Sequence, residues 1–68
     1  MDAYALALRI RAFRKLKGYT QAELASSLGI SIAVLGTIER GTRKADTQIL
    51  RRIAEQLSID FEELTSLS

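Results

Sequence analysis

The side chains best placed to do chemistry in this chain are cations. Arg9, Arg11, Arg14, Lys15 and Lys17 crowd one segment, and Arg40, Arg43 and Lys44 another, while Asp60, Glu62 and Glu63 lie near the opposite end. Cations gathered this way suit a polyanion, although the same residues also suit the solvated side of a helix. Bond-making chemistry is poorly served. There is no His and no Cys, so an imidazole base, a thiolate and the usual ligands of a structural zinc are all missing. No Gly-rich loop is available to cradle phosphates, and the carboxylates fall at capping or surface positions. The residues point away from an enzyme, and towards no cofactor, no metal and no small-molecule ligand.

The elements that must position these cations have little chain to work with. At 68 residues and net charge +2, residues 1–68 make one domain with one core, near the lower limit for folding alone. Without disulfides or metal, stability must come from efficient helix packing, from a second copy, or from both. There is no Pro and no apolar run approaching the roughly 20 residues of a membrane span. The start, Met1-Asp2-Ala3-Tyr4, lacks the basic opening of a signal peptide. The expectation is a soluble cytoplasmic protein, not attached to a membrane.

The pattern predicts five short helices and no strand, an all-α fold. The first covers about Tyr4 to Lys17, with Leu6, Ile10 and Phe13 at helical spacing and Gly18 as its stop. Thr20 and Glu23 form a capping box that starts a second helix, Gln21 to Leu28. Gly29 breaks it, and Ser31 caps a third helix running to about Arg40, with Gly41 beyond. Asp46 caps a fourth, whose apolar stripe is Ile49, Leu50, Ile53, Ala54 and Leu57. Asp60 with Glu63 predicts a second capping box for a short fifth helix carrying Phe61 and Leu64, and the tail from Thr65 is expected to fray.

Residues 21–40 are the informative stretch. Ala25 is small where a second helix must cross closely, and Gly29 supplies the positive φ of a tight turn. Leu24, Leu28, Ile30, Leu35 and Ile38 lock the two helices together. Two helices joined across a turn of three or four residues form a helix-turn-helix unit, whose second helix can enter the DNA major groove.

Taken in order, Ile10-Arg11-Ala12-Phe13-Arg14, Gly18 to Ala25, Gly29-Ile30-Ser31 and Ile38-Glu39-Arg40-Gly41 resemble the Xre family, the Cro- and phage-repressor-type regulators. The likeness runs from about Ile10 to Leu64. It implies a five-helix repressor-like domain that binds double-stranded operator DNA, usually as a dimer on a palindromic site, and so a transcriptional regulator of the repressor type. Gln21, at the start of helix 2, corresponds to a phosphate-binding position, where free amides and the helix dipole also favour an anion. Arg43 and Lys44, in the loop after helix 3, match further phosphate contacts. Arg14 and Glu39 match a structural pair that fixes the third helix to the scaffold, a task for which a planar guanidinium is better suited than Lys.

One part departs from the family pattern. The base-facing positions are Ile32, Ala33, Gly36 and Thr37, where similar proteins carry long polar side chains. No Arg, Asn or Gln among them can make the bidentate contacts of strong direct readout. Methyl contacts with thymine, DNA shape and phosphate contacts would then carry the recognition. The alternative is a protein-interaction module on the same scaffold, antirepressor- or antitoxin-like, whose apolar third helix meets a protein. Phe61, Leu64 and Leu67 recur three residues apart and are the expected homodimer interface.

Overall fold

Local chemistry dictates where each helix starts and stops. The computed structural model describes residues 3–66 and contains α1 (Ala3–Leu16), α2 (Gln21–Leu28), α3 (Ile32–Glu39), α4 (Thr47–Gln56) and α5 (Phe61–Thr65). At the head of α2 the Thr20 hydroxyl accepts from the Glu23 backbone N–H at 3.0 Å, and the Thr20 N–H donates to the Glu23 carboxylate at 2.8 Å. Two otherwise orphaned donors are satisfied reciprocally. Ser31 caps α3 by accepting from the Val34 N–H at 3.0 Å, and Asp46 caps α4 by accepting from the Ile49 N–H at 2.8 Å.

The box expected at Asp60 and Glu63 does not form. Asp60 occupies the N-cap of α5, but its side chain makes no capping hydrogen bond. The Thr20 box joins a neutral cap to one carboxylate, whereas this one would fold two carboxylates onto each other, and like charges at such spacing repel. The entry to α5 is held from outside instead. Arg9 Nε donates to the Glu63 carbonyl at 2.8 Å, and Leu64 is fully buried.

The first four helices end alike, the amide that follows a left-handed residue returning to a carbonyl five residues back. These bonds are Tyr19 to Arg14, Ile30 to Ala25, Thr42 to Thr37 and Ile59 to Ala54, at 3.0–3.1 Å. The closure requires one left-handed residue. Gly29 supplies it after α2 at φ 71°, but after α4 it falls to Ser58, at φ 57°.

The core gathers Leu6 and Ile10 of α1, Leu24 and Leu28 of α2, Leu35 and Ile38 of α3, Leu50 and Ile53 of α4, then Leu57 and Leu64. A fully enclosed side chain such as Leu24 or Ile53 stabilises by about 1.5–3 kcal/mol. α3 packs against both α1 and α2, and α4 against α2 and α5. Arg52 of α4 donates to the carbonyl of Leu28, and the Tyr19 hydroxyl donates to the Gln56 carbonyl at 3.3 Å. The loop after α3 presses on α1 as well: a Cβ at Gly41 would lie 3.0 Å from Tyr4 Cα. Among the described residues no single helix is long and apolar enough to cross a membrane.

The C-terminal apolar series divides. Leu64 is wholly enclosed by its own protomer, so its side chain is not available to a second copy, and the expectation that it forms a dimer interface is corrected. The fifth helix is so short that its one inward position must complete the core. Phe61 is half-buried, with the Arg51 guanidinium 4.3 Å from its ring centroid. Leu67 lies outside the described residues.

Candidate nucleic-acid interface

The interface is organised by one ion pair beneath it. Arg14 Nε donates to Glu39 Oε2 at 2.8 Å and its Nη2 to Glu39 Oε1 at 3.0 Å, while Nη1 donates to the Tyr19 carbonyl at 2.9 Å. Only 10% of the Arg14 side chain and 3% of the Glu39 side chain reach solvent. The planar fork of the guanidinium meets both carboxylate oxygens at once. α1 is thereby tied to the last residue of α3, and to the turn that leads into α2. Gln21 adds a weaker contact, its Nε2 donating to Glu39 Oε1 at 3.4 Å. The chain direction changes by 111° between α2 and α3, within the range of helix-turn-helix units.

With Leu35, Ile38 and Glu39 turned inward, the opposite face of α3 is fixed in direction. Residues 32, 33, 36, 37 and 40 share it by helical spacing. Ile32 is 51% exposed and Ala33 is exposed, whereas Thr37 is half-buried. The Thr37 hydroxyl donates to the Val34 carbonyl at 2.7 Å, so outward it offers its methyl group and an acceptor oxygen rather than a proton.

Gly36 differs from its expected place as an open, base-facing position. It is buried, because the Arg40 side chain folds back along α3 and lies over it. A Cβ at Gly36 would stand 3.1 Å from Arg40 Nη1 and 3.8 Å from Gln21 Nε2. Helix side chains lean towards the N-terminus, so residue 40 naturally covers residue 36 when nothing projects there. Arg40 is exposed, and no hydrogen bond or ion pair holds it among the described residues. The face of α3 therefore carries one long cationic side chain that a count of outward positions from 32 to 37 misses. The sequence signal is the pairing of Gly36 with Arg40, one helical turn apart.

Arg43 and Lys44 are exposed in the loop between α3 and α4, where they border a small apolar pocket against α1 and α4. The N-terminal cations are less uniform than their crowding suggests. Arg14 is buried in its pair, and Arg9 is engaged with the Glu63 carbonyl and lies 5.7 Å from the Phe13 ring centroid. Arg11, Lys15 and Lys17 remain exposed. A shallow basin lined by Arg11, Arg14, Gln21, Gly36, Glu39 and Arg40 opens between α1, α2 and α3.

The sequence matches the HTH_3 helix-turn-helix model over residues 10–64, from the middle of α1 into α5. The chain belongs to the HTH_3 helix-turn-helix family. Among curated relatives it is 52% identical over 64 residues to the uncharacterized HTH-type transcriptional regulator YazB of Bacillus subtilis (strain 168), covering 94% of this chain and 93% of that protein. Among solved HTH_3-like structures, the restriction-modification controller protein C.AhdI from Aeromonas hydrophila superposes with a TM-score of 0.88 at 32% identity. That match covers 93% of this chain and 96% of the other. SinR, a master regulator for biofilm formation solved in complex with DNA, superposes with a TM-score of 0.80 at 32% identity, covering 87% and 95%.

Proposed function

We propose that this chain is a sequence-specific, double-stranded DNA-binding transcriptional regulator, acting as a repressor and as a homodimer on a two-fold operator. The observation that carries the reading is the uncovered face of α3, held at a set angle to α2 by the buried Arg14–Glu39 pair. A major groove about 12 Å wide admits one helix, and α3 turns Ile32 and Ala33 to solvent on the side away from the core. In this reading Gln21, Arg43 and Lys44 hold backbone phosphates, while Ile32, Ala33 and Thr37 face the bases. Gly36 contributes space rather than contact. The family match and the DNA complex of SinR support the same reading. Steric blocking of a promoter asks for no surface beyond the DNA-binding one, which favours repression. With Leu64 enclosed, Phe61 is the described member of the expected C-terminal set that remains for the dimer contact.

A second reading has one observation in its favour: Ile32, at 51% exposed, would suit a protein-facing α3. Selection from a pool of randomised duplex DNA separates the two. The regulator reading expects enrichment of an imperfect palindrome with half-site centres about 34–36 Å apart. Recovery of the unselected pool would overturn it and leave α3 as a protein-binding surface.

A further inference from the structure

We infer that Arg40, lying over Gly36, is the residue of this chain that reads a guanine in the major groove. The inference rests on the reading of α3 as the DNA-facing helix and deepens it by naming the base. Ile32, Ala33 and Thr37 supply methyl groups and one acceptor oxygen, and none of them can donate two parallel hydrogen bonds to a base edge. Arg40 can. It begins one turn past Gly36, and its Nη1 and Cζ come within 3.1 and 3.9 Å of where a Gly36 Cβ would stand. The guanidinium thus lies back over Gly36, in the basin it shares with Gln21 between α1, α2 and α3, and not out beyond the helix end. It is exposed and bound to no other group among the described residues.

This placement fits a guanine better than the other partners within reach. Guanine presents N7 and O6 together in the major groove, a pair of acceptors matched to the parallel donors of a guanidinium. In the reading above the phosphates fall to Gln21, Arg43 and Lys44, which leaves the fork of Arg40 for a base. The absence of a side chain at residue 36 is what permits the arrangement, since a Cβ there would be closer to Arg40 Nη1 than ordinary contact allows. Gly36 is then a specificity device, and its cost to helix stability is explained by the arginine it admits.

Selection from randomised duplex DNA, run in parallel with wild type, Arg40→Lys and Gly36→Ala, tests this. The wild type is expected to fix a guanine at one position of each half-site. Arg40→Lys keeps the charge but loses the fork, so preference at that position should fall about tenfold while binding to unselected duplex is retained. Gly36→Ala displaces the guanidinium and should lose the same preference. Because alanine favours the helix, its melting temperature should hold or rise, so misfolding cannot mimic the effect. Two results would overturn the inference: a selected site with no fixed guanine, or an Arg40→Lys variant that keeps the base preference and loses affinity equally for all duplexes, which would assign Arg40 to a phosphate. If the wild type enriches nothing, the regulator reading itself fails, an outcome distinct from both.

Discussion

Arg14 and Glu39, 25 residues apart in sequence, meet through two parallel hydrogen bonds of 2.8 and 3.0 Å and are almost wholly withdrawn from water. Removing one partner leaves the other charge buried and uncompensated. Arg14→Ala should therefore cost about 3–5 kcal/mol, against a total stability on the order of 3–10 kcal/mol for a domain of this size. Thermal melts should show a large fall, or no folded baseline at all. A melting temperature equal to that of wild type would refute the structural role of the pair.

Ser58 adopts φ 57° to close α4, a conformation that costs a non-glycine residue about 1–2 kcal/mol. Ser58→Gly relieves this while keeping the backbone bond from residue 58 to the Glu55 carbonyl. Part of the gain returns to the more flexible unfolded chain. Denaturant titration should show a net stabilisation of about 0.5–1 kcal/mol. A destabilised variant would mean that the serine side chain contributes something the backbone does not reveal.

Glu23 connects stability to pH. The Thr20 backbone N–H first, and the Thr20 hydroxyl second, hold its carboxyl below the ordinary carboxylate range. The folded form therefore binds this proton less readily than the unfolded chain, and stability rises with pH across the interval between the two values. The contribution is complete above the unfolded pKa and is lost as pH falls through the lowered folded one. Glu23→Gln should weaken this acid-side dependence, seen by comparing melting temperatures of the two proteins from neutral pH down to about pH 3, below the ordinary carboxylate pKa. Identical pH profiles would remove the capping box as a source of acid sensitivity.

The phosphate contacts proposed for the loop separate from base reading by their salt response. Arg43→Ala and Lys44→Ala should each weaken binding to every duplex and reduce the slope of log affinity against log salt by about 1. Gln21→Ala carries no charge change and should lower affinity with the slope kept. A loop variant that altered base preference instead would move that residue from the groove's edge to its floor.

The sequence announced the all-α fold and most of the helix boundaries because the signals are local. Thr20, Ser31 and Asp46 each cap the helix they precede, and Leu24, Leu28, Leu35 and Ile38 are buried at the spacing that placed them inside. What escaped depends on neighbours distant in sequence or on side-chain conformation. Asp60 has the right residue type for a cap, but its box would oppose two carboxylates. Ser58 closes α4 without the glycine that marks the other turns. Leu64 has the spacing of an outward stripe, yet the docking of α5 turns it into the core. In the candidate site, the i to i+4 relation of Gly36 and Arg40 was visible as letters, while the folding of one over the other was not. The N-terminal cations likewise looked equivalent until Arg9 and Arg14 were found occupied within the scaffold.

The central claim is that the fixed outer face of α3 and the cations around it bind duplex DNA, and titration of a labelled duplex with the wild-type chain at a series of salt concentrations tests it most directly. Each cation that meets a phosphate releases counterions, so log affinity should fall linearly with log salt, with a slope of about −0.9 for each phosphate neutralised. The account predicts tight binding at low salt and a clear negative slope, part of which disappears in Arg43→Ala. Absence of binding at low salt, or an affinity indifferent to salt, would contradict it.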